Sequence, residues 1–158
     1  MHRRTIVPSL SMMLAVLLLV VGAFAAGRMI PAPAAAQETI TVIEHASSDT
    51  ITDLGDEGDS MGDTLSFSND LYDADDANVV GNINGSCVRT NPGKMWECSF
   101  TTSFDDGAMT AQGPFQDTGE GSFAITGGAG KYSGASGELM IKAREGGDEK
   151  YDLTFTVN

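Results

Sequence analysis

"FAITGGAGKYSGASGEL", Phe123 to Leu139, sets five glycines and a lysine in seventeen residues. So many glycines serve either a phosphate-binding loop or a fold in which backbones pass very close together. The spacing rejects phosphate. A Walker loop needs a glycine five positions before its Gly-Lys and a Ser or Thr directly after, where this chain has Ile125 and Tyr132. The dinucleotide fingerprint fails as well, because after Gly128-Ala129-Gly130 the third glycine, Gly134, comes one residue late. Both phosphate sites aim a helix N-terminus at the ligand, and here the glycines run straight into the β-like "ELMIKAR". The stretch therefore belongs to a β-rich fold, with "TGGAGKYSG" expected as a glycine-rich crossover between two strands.

Outward from it, period-two alternation recurs between turn residues. "TITVIEHA" (39–46), "DTLSFSNDLY" (63–72), "NVVGNINGSCVRT" (78–90) and "KMWECSFTTSF" (94–104) read as strands. "AMTAQGPF" (108–115), "GSFAIT" (121–126), "GELMIKARE" (137–145) and "EKYDLTFTVN" (149–158) complete eight, with no credible helix. Eight antiparallel strands in about 120 residues suit a closed barrel or a sandwich. An eight-stranded barrel is wide enough for packed side chains or one small ligand. Alternation turns Phe67, Leu71, Phe100, Ile125, Leu153 and Phe155 inward. Gly81, Gly85 and Gly113 mark sharp coiling or close backbone approach inside strands.

The N-terminus reads as a targeting segment, residues 1–36. Arg3 and Arg4 precede an apolar, uncharged run from Met12 to Ala26, and "PAPAAAQ" offers cleavage before Gln37. The alternative is an uncleaved anchor helix, which would be the only route to a membrane. Residues 37–158 then form one domain outside the cytoplasm. All 22 acidic residues fall in this part against six Lys and Arg, a formal charge of −16. That balance argues against nucleic acid and anionic membrane surfaces as partners.

Two cysteines in an exported chain suggest a disulfide. With "TNPGKM" (90–95) as a hairpin turn, residues whose numbers sum to 185 face each other, which sets Cys87 opposite Cys98. A reactive or metal-binding thiol pair is the alternative, but nothing near them would lower a thiol pKa. A His-based zinc site is excluded because the mature chain has a single histidine, His45. "DADDAN" (73–78) lacks the later ligand and the glycine of a calcium loop, and no metal site is expected. Asn69 is the informative polar residue: alternation puts it on the apolar face between Phe67 and Leu71. It is either satisfied by backbone or buried water, or it orients a ligand or water in a cavity. Glu44 shares a face with Val42 at the end of the first strand.

"GDTLSFSNDLYD" (62–73), "INGSC" (83–87), "MTAQGPF" (109–115) and the opening stretch together resemble the allene oxide cyclases, and the last block also resembles the related dirigent proteins. The resemblance implies an eight-stranded antiparallel barrel, usually trimeric, enclosing a hydrophobic cavity. In those cyclases an unstable allene oxide closes to a cyclopentenone without a cofactor. It implies that Asn69 helps hold a water against the epoxide oxygen and that Glu44 stabilises delocalised charge. Phe67, Leu71 and Phe100, inward by alternation, together with Phe115 are the candidate binding residues for a hydrophobic small molecule, and Cys87 matches a cavity-side cysteine of the family. Phe115 stands where the plant proteins carry tyrosine, and their Ser-Pro pair in the first-strand region finds only "HASSDTITD" (45–53) here. Three functions follow: a cofactor-free cyclase, isomerase or dirigent-like guide, a non-catalytic carrier of a lipid or secondary metabolite, or a structural barrel with a filled interior.

Overall fold

The computed structural model describes residues 36–146 and 149–158. The expected targeting segment lies outside them except for Ala36. Nine strands follow in order: β1 (Glu38–His45), β2 (Thr50–Thr52), β3 (Thr64–Tyr72), β4 (Val79–Asn91), β5 (Met95–Phe104), β6 (Gly107–Gln116), β7 (Glu120–Gly130), β8 (Gly137–Ala143) and β9 (Lys150–Val157). From β3 to β9 each strand pairs antiparallel with the next, β9 pairs with β1, and β1 pairs with β3 to close the ring. This is a closed eight-stranded antiparallel barrel, as the alternation indicated. The ninth strand, β2, adds three residues along the edge of β3 beyond the point where β1 departs.

Alternation delivers the core. Leu71, Ile83, Met109, Leu139, Leu153 and Phe155 are buried at inward positions of their strands. Cys87 faces Cys98 in the β4–β5 ladder, and the two are joined as a disulfide with Cα atoms 4.0 Å apart.

The glycine block behaves differently from the expected crossover. Strand β7 continues through it to Gly130, pairing Gly127 to Gly130 with Thr110 to Gly107 of β6, and only residues after Gly130 turn back toward β8. The physical reason is crowding. A Cβ on Gly128 would collide with the Tyr132 carbonyl, and Gly130 adopts φ of 63° so that the chain can reverse. The reversal buries Tyr132, whose ring lies 5.8 Å from Phe104 and caps that end of the barrel.

The interior is divided along its axis. Ile83, Thr102, Met109, Ile125, Leu139, Leu153 and Phe155 fill the half beneath Tyr132. On four of the same strands the next inward residues, Phe100, Phe123, Ile141 and Tyr151, help line a cavity that opens to solvent at the opposite end.

Candidate functional site

A break in a strand builds the site. Strand β1 leaves β3 at His45, opposite Asp70, and the chain rejoins β3 at Thr50, opposite Ser66. Four residues, Ala46 to Asp49, thus stand against three on β3, a one-residue bulge that re-aims side chains. Asn69 holds it. Its side-chain carbonyl accepts the backbone N–H groups of Ser47 (3.2 Å) and Ser48 (3.1 Å), and the Ser48 hydroxyl lies 3.0 Å away. The Ser68 N–H donates to the Ser48 hydroxyl, which in turn donates to the Ser68 carbonyl. Ladder bonds lost at the bulge are thereby replaced by side chains.

The same amide points its nitrogen at two carboxylates. Asn69 Nδ2 donates to Glu44 Oε1 at 2.8 Å and to Asp49 Oδ1 at 2.9 Å. Glu44 is only 6% exposed, and Asn69 1%. Burial pushes the Glu44 carboxyl up to about 7 from the ordinary 4.5; the Asn69 hydrogen bond lowers it and the nearby Asp49 charge raises it further. Among the described residues no Lys, Arg or His forms an ion pair with Glu44 or Asp49. Its neighbour His45 points outward, stacked on Tyr72 at 3.9 Å and bonded to Asp76 at 2.6 Å.

The cavity above this pair measures about 50 Å³. Five aromatic rings run round its wall in sequence of contact: Phe67–Phe100 (6.1 Å), Phe100–Phe123 (4.9 Å), Phe123–Phe115 (6.5 Å) and Phe115–Tyr151 (5.9 Å). Glu44 and Asp49 close the circuit, and the Cys87–Cys98 bridge forms part of the wall. Tyr151 lies directly across from Glu44 on β9. Burial and the adjacent Glu44 and Asp49 charges raise its pKa, keeping the phenol protonated as a donor.

Of the residues singled out in the sequence, Glu44, Phe67, Phe100, Phe115, Cys87 and Cys98 line the cavity. Asn69 and Leu71 do not. Asn69 stands behind the carboxylates with both amide hydrogens engaged, and Leu71 is fully buried. Sequence reasoning missed Asp49, Phe123 and Tyr151. Phe123 and Tyr151 were within reach, because alternation places them on the faces of Ile125 and Leu153. Asp49 was not, because its inward turn depends on the bulge. The "HASSD" text does occupy the first-strand region, where Ser47, Ser48 and Asp49 surround Asn69.

A closed barrel, filled at one end and hollow at the other over buried polar groups, defines a small-molecule-binding, cyclase-like barrel. The family model for allene oxide cyclase matches residues 38–144, and the chain belongs to that family. Among solved structures it is similar to a pyocyanin demethylase, with 32% identity and a TM-score of 0.65 over 75% of this chain and 100% of that one. It also resembles a pterocarpan synthase dirigent protein (12% identity, TM-score 0.62, 78% of this chain and 94% of the other). A third similar structure is an exo-specific intermolecular Diels–Alderase (15% identity, TM-score 0.60, 77% and 98%). The last two likenesses are of fold.

Proposed function

We propose that the protein works outside the cytoplasm, where its disulfide is stable, binding a reactive apolar small molecule at the open end of the barrel. There it steers a cyclisation or isomerisation without a cofactor. The observation that carries this reading is the buried Glu44, held by Asn69 at the base of an aromatic wall. A carrier has no use for a carboxyl held half-ionised near neutrality, whereas a catalyst does. Protonated, Glu44 donates to a substrate oxygen. Ionised, it stabilises positive charge developing on a closing ring more effectively than water would, because the carboxyl is buried. The aromatic wall fixes the fold of the reacting chain, so stereochemistry comes from positioning. Asn69 acts through Glu44 and Asp49 rather than on the substrate. A cavity of about 50 Å³ takes the reacting end of a ligand, leaving the remainder at the mouth. The trimeric assembly implied by the family is part of the proposal and is checked by light scattering.

The test is to offer the purified protein a freshly made allene oxide and measure product chirality. An enantiomeric excess that Glu44→Gln abolishes supports the reading. Racemic product identical to the spontaneous reaction rejects allene oxide cyclisation. A second reading, demethylation of a phenazine, is favoured by the 32% identity to a pyocyanin demethylase over that protein's whole length. Consumption of pyocyanin with loss of its methyl group supports it, and unchanged pyocyanin rejects it.

A further inference from the structure

We infer that the open cavity selects an apolar organic cation, a ligand whose positive charge is spread over a ring or buried among alkyl groups. The inference names the ligand class of the site proposed above and rests on that reading. Three observations meet here. Five aromatic rings line one cavity in an unbroken series of contacts, and the faces of such rings attract cations electrostatically. The remaining arc carries two carboxylates and, among the described residues, no ion-pairing cation. Glu44 Oε2 accepts no hydrogen bond from any described residue, although the side chain is 94% buried by its 6% exposure and lines the cavity.

Each alternative occupant fits less well. A carboxylate or phosphate end would meet like charges at the buried Glu44 and the more exposed Asp49. A hydrated inorganic cation would find side-chain oxygens only at Glu44, Asp49 and Tyr151, too few to replace its water shell against four phenylalanine rings. A neutral apolar end would satisfy the rings and leave the buried Glu44 carboxyl without an opposite charge whenever it is ionised. A soft organic cation satisfies both parts of the wall. It also lowers the cost of ionising Glu44, since an opposite charge close by favours the charged form. The small volume restricts entry to the charged end of such a molecule, with any extended part at the mouth.

The experiment compares N-methylacridinium with acridine at pH 8, where the second ring system is neutral and nearly the same shape. Calorimetric titration at physiological salt should show the cation binding at least about tenfold tighter. Glu44→Gln and Asp49→Asn should each weaken N-methylacridinium binding more than acridine binding, narrowing that preference, with the circular dichroism spectrum unchanged. Equal affinities for the two rings overturn the cation preference and leave a small-molecule site standing. A preference that survives in both variants assigns the effect to the overall acidity of the protein and also overturns the inference. Failure of either ring to bind overturns both the ligand class and the proposed site.

Discussion

Replacing Glu44 with glutamine should stabilise the protein above neutral pH while removing its function. Glu44 is held by one hydrogen bond from Asn69 in a space with no opposing charge, and folding raises its pKa from 4.5 to about 7. A carboxyl that binds its proton more tightly folded than unfolded stabilises the fold fully below pH 4.5. That contribution is lost progressively as pH rises through 7. At about 1.4 kcal/mol for each tenfold change in proton affinity, the loss between pH 4.5 and pH 8 comes to about 3 kcal/mol. For a domain of this size that corresponds to roughly 10 °C in Tm. Glutamine keeps an oxygen for Asn69 to donate to and has no proton to lose. Thermal unfolding of both proteins from pH 5 to pH 8.5 is the assay, and the difference between the two curves cancels carboxylates elsewhere. Asp63, Asp73 and Asp76 are shifted downward by their hydrogen bonds, so their contribution falls away only on the acid side. The wild-type Tm should fall relative to the variant as pH rises. Parallel curves across the range would refute the buried, uncompensated state of Glu44 on which the catalytic reading depends.

Native protein should titrate no free thiol, and reducing the Cys87–Cys98 bridge should cost about 2–3 kcal/mol in chemical unfolding, as expected for a short closed loop. Two thiols in unreduced protein would contradict the bridge. Gly85→Ala would drive a methyl group into Phe100 and the backbone at Ser99, so a loss of about 1–3 kcal/mol is expected in the same assay. Arg89→Ala should expose the 53–63 segment to proteolysis. Its guanidinium pairs with Asp59 and Asp117 and lies 3.9 Å from the Trp96 ring, while its backbone bonds to Gly62 and Asp63. Unchanged cleavage kinetics would show that the backbone bonds alone hold that segment.

The barrel was legible because its information is local and periodic. "DTLSFSNDLY" and "KMWECSFTTSF" each repeat an inward residue every second position, and one hairpin turn fixed the sum that brings Cys87 to Cys98. The length of β7 was misjudged because glycine weakens a strand in isolation, while here it is what lets β6 and Tyr132 approach. Strand β2 was invisible: three exposed residues, Thr50 to Thr52, carry no alternation of burial and exist only because β3 offers an edge. Asp49 was hidden for the same reason, since a bulge is a property of two strands and their relative register.

Why the barrel is hollow at one end only can be argued from glycine and phenylalanine together. In the filled half the inward positions carry Leu, Ile and Met from several strands, and their side chains meet. In the hollow half, inward glycines alternate with large rings. Gly85 leaves the space that Phe100 occupies, and a Cβ on Gly121 would come within 2.5 Å of the Phe123 ring. Phe100 and Phe123 therefore pack into the wall beside residues with no side chain, which spares the barrel axis. The glycines divide the work. Gly128 and Gly130 let the chain fold back to close one end, while Gly85 and Gly121 seat the aromatic wall that keeps the other open. Glu44 at the end of β1, held by Asn69, puts a buried carboxyl at the base of the cavity, and the bulge at Ala46 to Asp49 brings the solvent-exposed Asp49 to the same amide. Burying the Glu44 carboxyl there costs stability, which is the expected mark of a site kept for chemistry rather than for folding.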